Sequence, residues 1–270
     1  MNQTLLHIFR NTPFGRETLL QSADSCLKLK LSLNIFIPED QKFLFYFGGD
    51  VVQVDLDKSY LFDPETAREH VNKTLSQGSL PEHKFIHQES YTGTGLPDLP
   101  TDFSLMTCPR SISDVSSRIG LGHIGPKVRK IVQQATFPIL IPGAVFKPWQ
   151  RIVVLYGGSP SAGKALQLAF TFQQRCKLPL QIISIGDHAT LETMLEDQGL
   201  IDQVRQHDWQ VYSGSLLQKH LFEIPHDALV VLGAYGHGPI KALFGSSMEL
   251  IQSQLPNPLL VVGPKYQTQE

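Results

Sequence analysis

The chain repeats itself, and the spacing of the repeat limits what it can become. Gly125 and Pro138-Ile-Leu-Ile-Pro-Gly143 return as Gly245 and Pro258-Leu-Leu-Val-Val-Gly263, at 245 − 125 = 120 residues. Pro13 and Leu33-Asn-Ile35 return as Pro160 and Leu180-Gln-Ile182, at 160 − 13 = 147 residues. Self-similarity on this scale means one supersecondary plan used twice. The difference, 147 − 120 = 27, assigns 27 extra residues to the first copy. Two homologous domains are expected, over residues 1–143 and 150–266, joined by a linker from Gly143 to Gln150 that carries Pro148.

Each copy opens strand, helix, strand. In the first, Leu5 to Phe9 and Leu31 to Ile37 flank a helix over Arg16 to Leu29; in the second, Arg151 to Tyr156 and Leu180 to Ile185 flank Ser161 to Arg175. A crossover of that length joins parallel strands. The first copy then departs. Phe43 to Asp57 alternates around Gly48-Gly49-Asp50 and reads as a β-hairpin. Asp63-Pro64-Glu65 starts a helix running to about Ser76. Lys84 to His87 and Phe103 to Cys108 are the next strands, separated by a Gly, Pro and Thr-rich loop over Ser90 to Asp102. The 27 extra residues are expected in the hairpin and that loop. A helix over Pro126 to Gln134 and a strand over Pro138 to Ile141 complete the copy; the second continues with a helix over Thr190 to Gln198, a strand over Trp209 to Tyr212 and a helix over Ser215 to Phe222.

The richest stretch is Asp227 to Gly263. Ala228 to Leu232 is an apolar run of strand length, and Gly233, Gly236 and Gly238 follow with Tyr235 and His237 between them. A loop this poor in side chains turns its N–H groups toward an anion. Gly245, Ser246 and Ser247 then open a helix with Met248, Leu250, Ile251 and Leu255 at helical spacing, so its N-terminus adds free N–H groups and hydroxyls. Pro256 and Pro258 end it before the strand Leu259 to Val262. Tight packing without a ligand is the plain alternative for such a turn.

Gly233-x-x-Gly236, Gly245-Ser246 and the terminal Pro258-Leu-Leu-Val-Val together resemble the C-terminal signature of the universal stress protein family, G-x2-G-x9-G-[S/T]. Eight residues separate Gly236 from Gly245, one fewer than the pattern. The resemblance is strong from Arg151 to Gly263 and weak before it. It implies an α/β fold with an open parallel five-stranded sheet, helices on both faces, in each domain, and a nucleotide where strands one and four diverge, the general place for ligands in open α/β sheets. It also implies pairing of domains through their last strands, within this chain or in a homodimer. The ligand implied is ATP or another adenine nucleotide, with magnesium, held by Gly157, Gly158, Ser159, Pro160, Lys164, Ile185, Gly233, Tyr235, Gly236, His237, Gly238, Gly245, Ser246 and Ser247.

The family commonly places an Asp at the end of strand one, where this chain has Gly157. Losing one charge-assisted hydrogen bond costs about 1.5–3 kcal/mol, roughly ten- to a hundredfold in affinity. Gly158 to Lys164 also fits G-x4-G-K, but Ala165 replaces the magnesium-binding Ser or Thr of a P-loop. In the first copy Pro126 stands where the second has Ser246, so that half is expected not to bind nucleotide and to serve pairing or partner recognition through its hairpin.

No catalytic residues are assigned, since no Ser-His-Asp, Cys-His or acid-base arrangement stands out, and at most very slow ATP hydrolysis is expected. Cys26, Cys108 and Cys176 lack metal-ligand spacing, so no metal is assigned to protein ligands. A formal charge of −2 gives no footprint for nucleic acid, and no apolar run is long enough for a membrane, so a cytoplasmic address is expected. Two function classes remain: a nucleotide-binding stress-response regulator with its site in the second domain, or a scaffold that binds a protein partner with both sites degenerate.

Overall fold

The computed structural model describes residues 3–47, 50–56, 63–76, 78, 81–86, 98–99, 101–110, 124–213, 220–234, 251 and 255–267. Its elements are β1 (Thr4–Ile8), α1 (Pro13–Leu29), β2 (Ser32–Phe36), β3 (Lys42–Phe47), β4 (Asp50–Asp55), α2 (Pro64–Leu75), β5 (His83–Ile86), β6 (Asp98–Leu99), β7 (Leu105–Thr107), α3 (Pro126–Gln134) and β8 (Ile139–Ile141). They continue with β9 (Arg151–Leu155), α4 (Pro160–Cys176), β10 (Leu180–Ile185), α5 (His188–Asp197), α6 (Ile201–Val204), β11 (Asp208–Tyr212), β12 (Ala228–Gly233) and β13 (Leu259–Val262).

The first helix of each half is started and stopped by the same devices. Thr12 accepts a hydrogen bond from the Gly15 N–H at 3.0 Å, and Ser159 accepts one from the Ala162 N–H at 3.2 Å. Each satisfies an N–H that the helix itself cannot, and each is followed by Pro at the first helical position. Both helices end on a left-handed Lys, Lys30 at φ 56 and Lys177 at φ 59. All three pairs lie 147 apart. A second matched pair opens α2 and α5: Asp63 accepts from the Thr66 N–H and Asp187 from the Thr190 N–H, each at 2.9 Å. These lie 187 − 63 = 124 apart, so 147 − 124 = 23 of the extra residues fall between β2 and α2, where the hairpin is.

The remaining extra residues lie elsewhere than expected. β5 Lys84 aligns with Asn34 of β2 as Asp208 aligns with Gln181, and Leu105 aligns with Leu5 as Leu229 aligns with Ile152. The intervals 105 − 84 and 229 − 208 are both 21. The loop from Ser90 to Asp102 is therefore no insertion; the last four residues, 124 − 120, fall between β7 and β8.

Among the described residues, ten strands form one sheet in the order β11-β10-β9-β12-β13-β8-β7-β1-β2-β5. The two sheets expected from the sequence are thus continuous. Neighbours are parallel except β13 and β8, which pair antiparallel with Leu260 opposite Leu140 and Val261 opposite Ile139. Leu140 and Leu260 are themselves 120 apart, so the seam is self-complementary about that pair in the manner of a two-fold interface. Pairing the last strands removes two sheet edges. Side chains alternate between two cores that each run the length of the sheet. Leu5, Leu33, Leu140, Leu260, Val231, Val154 and Ile182 share one face with α1, α2, α4 and α5. Leu6, Ile8, Ile139, Val261, Val230, Val153 and Ile183 share the other.

On that second face the hairpin is part of the core. Phe43, Phe45, Phe47, Val52 and Val54 are buried, while Lys42, Tyr46, Val51 and Gln53 face outward, the alternation their sequence promised. Phe43 meets Phe36 edge-on at 5.6 Å, and Phe47 lies 5.9 Å from Phe137. β6 adds a third strand beside β3. Asp55 pairs with Lys127 of α3 and Asp50 with Lys265. The expected partner-recognition surface is reduced to one outward face.

The stretch from Gly143 to Gln150, expected as the linker, keeps Lys147, Pro148 and Gln150 exposed but is fixed along α1. Gln21 bonds both backbone groups of Gly143, at 2.7 and 3.0 Å; Glu17 accepts the Phe146 N–H at 2.7 Å. Trp149 is 3% exposed, donates to Ser25 and lies under the Lys28 ammonium. Glu17, Gln21, Ser25 and Lys28 recur at helical spacing, so one stripe of α1 holds the connection.

Candidate functional site

Strand order reverses between β9 and β12, and the carboxyl ends of these two strands define the crevice of the second half. β9 delivers Tyr156, Gly157 and Gly158 to it. Tyr156 is buried, which pushes its phenol up to about 12, and its hydroxyl donates to Gln198 Oε1 at 3.3 Å. Gln198 Nε2 donates to the Gly158 carbonyl at 3.0 Å, so one amide at the end of α5 braces both ends of the turn. Gly158 has φ +78, and a Cβ there would lie 2.3 Å from Met194 Sδ. The positive φ requires glycine, and a side chain here would also have to displace the flexible Met194.

Ser159 and Pro160 start α4. The Ser159 hydroxyl is buried, caps the Ala162 N–H and lies 3.2 Å from Ser161 Oγ. Gly233, the last residue of β12, packs directly on this helix start: a Cβ there would stand 2.3 Å from the Ser161 carbonyl carbon and 2.4 Å from the Ala162 nitrogen. The first glycine of the signature thus closes the gap between strand four and α4. Ala234 continues the ladder by donating to the Val262 carbonyl at 2.8 Å.

Lys164 turns from α4 toward the segment after β13. Its ammonium donates to the carbonyls of Pro264 at 3.2 Å and Tyr266 at 2.7 Å, tying α4 to the segment after β13. Ile185 ends β10 with its side chain buried in the second core, and Gly186 follows at φ +146, donating to the Tyr212 carbonyl at 3.0 Å. Tyr235, Gly236, His237, Gly238, Gly245, Ser246 and Ser247 lie outside the described residues. The structure therefore brings together Gly157, Gly158, Ser159, Pro160 and Gly233 and directs Lys164 to the C-terminal segment. Gln198 and Met194 were missed, because nothing local marks a helix end that must reach a turn 40 residues earlier.

No family model matches the chain. Among curated proteins it is similar to universal stress protein Slr1230 of Synechocystis, 24% identical over 195 residues that cover 69% of this chain and 67% of that protein. The chain is thus similar in sequence to a universal stress protein. Solved structures carry the same fold. A universal stress protein from Archaeoglobus fulgidus superposes with a TM-score of 0.56 at 16% identity, over 97% of each chain. The cytoplasmic domain of a prokaryotic cation chloride cotransporter does so at 0.52 and 12% identity, over 99% of this chain and 98% of that one. The parallel sheet with the crevice between β9 and β12 is the architecture that the signature implied. Among the described residues no helix is long and apolar enough to cross a membrane, and no group of His, Cys, Asp and Glu has the arrangement of a metal site.

Proposed function

We propose that the chain is a tandem universal stress protein that binds ATP or a related adenine nucleotide in the crevice of its second half, as a regulator with little or no turnover. Two homologous units, residues 1–143 and 150–266, share the chain, and only the second keeps the glycine signature. The observation that carries the reading is the contact of Gly233 with the backbone of Ser161 and Ala162. It sets the strand from which the glycine-rich loop departs against the start of α4, at the topological switch point. In this reading the N–H groups of the glycine-rich loop and the hydroxyls of Ser246 and Ser247 would donate to a phosphate. Magnesium would enter with the nucleotide, since among the described residues no group of His, Cys, Asp and Glu forms a metal site.

A second reading, a protein-binding scaffold without nucleotide, is favoured by the same crevice. Gly157 replaces the acidic anchor, the Gly158 carbonyl is engaged by Gln198, and Lys164 is engaged by two carbonyls. Calorimetric titration with ATP and magnesium, beside Gly236→Val, separates the two. Stoichiometric binding abolished by the variant is expected. An absence of heat, with no nucleotide carried through purification, would leave the scaffold.

A further inference from the structure

The linker after β8 and the segment after β13 are one element used twice. Gly143 and Gly263 follow the last strands of the two halves, 263 − 143 = 120 residues apart. Each packs on the backbone of the other half: a Cβ at Gly143 would stand 2.6 Å from the Pro256 carbonyl oxygen, and one at Gly263 would overlap that of Val132. Beyond each glycine the chain is held by the first helix of its own half. Glu17 of α1 accepts the Phe146 N–H at 2.7 Å, and Lys164 of α4 donates to the Tyr266 carbonyl at 2.7 Å. These pairs are equivalent: 164 − 17 = 147 and 266 − 146 = 120, the offsets of the helices and of the last strands.

The contact is kept while its charge is reversed. A carboxylate holds the linker, whereas an ammonium holds the segment after β13, with the Pro264 carbonyl as a second acceptor at 3.2 Å. Among the described residues Lys164 has no carboxylate partner, so its charge rests on two neutral carbonyls. Such bonds are weaker than those between an ammonium and an anion.

The place of this cation is set by its neighbours. Lys164 comes directly after Ala162 and Gly163 in α4, and the backbone of Ser161 and Ala162 is what Gly233 packs against at the end of β12. The segment that it holds leaves the adjacent strand β13, whose Val262 carbonyl accepts the Ala234 N–H. Cation and segment therefore flank the strand end at which the second-half crevice opens. The segment also brings Lys265 to Asp50 of the hairpin and gives the Gln267 N–H to the Thr136 carbonyl at 3.3 Å, so it joins the two halves.

We infer that this contact is a latch. Lys164 rests on the Pro264 and Tyr266 carbonyls until a nucleotide phosphate in the crevice draws its ammonium away, and residues 264–267 then loosen. The inference rests on the nucleotide reading of the crevice and adds the element that responds to the ligand. Loosening the segment is how occupancy of the second half reaches the hairpin of the first.

Amide hydrogen exchange at Tyr266 and Gln267, read by NMR on the labelled full chain, tests it, with calorimetry on the same samples to report binding. ATP with magnesium is the ligand, and adenosine is the same nucleoside without phosphate. ATP should speed exchange at both amides about tenfold, the effect of one lost hydrogen bond on local opening, and adenosine should not. Lys164→Met should show the faster exchange before any addition and bind ATP about tenfold more weakly. ATP binding with unchanged or slowed exchange, equal acceleration by adenosine, or unchanged affinity in Lys164→Met would overturn the latch and leave the nucleotide reading standing. No heat with ATP overturns both. Should Lys164→Met fail to fold, the comparison of ATP with adenosine on the native chain decides alone.

Discussion

The two halves share the caps of their matched helices, the 17-residue length of α1 and α4 and strand registers, yet they differ in what fills equivalent space. On the face of α1 and α4, the first half has His7, Ser22 and Thr107 where the second has Val154, Ala169 and Val231. On the opposite face, the first half is covered by the Phe43, Phe45 and Phe47 hairpin and α3, and the second by Leu221, Ile224, Ile251 and Leu255. A single backbone plan tolerates both solutions because the parallel sheet fixes only where side chains point. The polarity and covering element are free to diverge once the seam through β8 and β13 holds the copies together.

The largest expected effect tests the hairpin. Phe45→Ala removes a fully buried ring flanked by Phe43 at 5.1 Å and Phe47 at 5.6 Å. It should cost about 3–5 kcal/mol in urea unfolding. Tyr46→Ala, on the outward face of the same strand, should stay within about 0.5 kcal/mol. Equal, small losses would mean that the hairpin is an appendage after all.

The next concerns the buried imidazole. Between pH 6.5 and about 3 the unfolded chain protonates His7 while the folded chain does not. Unfolded protein then binds the extra proton, so stability rises with pH across this window and is lost as pH falls, by about 1.4 kcal/mol per unit. His207, also lowered by burial, acts in the same direction. The difference between native and His7→Val unfolding at pH 6.5, 5.5 and 4.5 isolates His7. The variant should be the less pH-dependent, and an unchanged slope would place a partner or solvent at His7 in the folded state.

The smallest effect probes what the halves keep in common. Thr12→Ala and Ser159→Ala each remove one helix cap and should each cost about 1 kcal/mol by chemical denaturation. A loss at Ser159 much above that at Thr12 would show that its contact with Ser161 does more than cap.

The offset between copies was legible before any coordinates, because βαβ units leave a strict record of strand and helix lengths. So was the hairpin, whose alternation of Phe and polar residues has period two. The position of the insertions was only half legible: sequence matches fix the total of 27 residues, whereas the strand registers assign 23 to the hairpin segment, none to the Ser90–Asp102 loop and four to the stretch between β7 and β8. Gly233 was recognised as special from its place in the glycine signature, and the structure adds a packing reason. Its neighbour is the backbone of α4, some 70 residues earlier, and no local pattern announces such an approach.

By itself, then, the sequence determined the parallel α/β plan, the Asp63 cap of α2 and the glycine that ends β12, since each rests on local periodicity or on a residue's own backbone preference. Tertiary structure decided that the two sheets are one, that the linker lies along Glu17, Gln21, Ser25 and Lys28, that Gln198 braces the Gly158 turn, and that His7, Ser22 and Thr107 meet. Those are contacts between residues far apart in the chain, and their geometry exists only once the strands have chosen their neighbours.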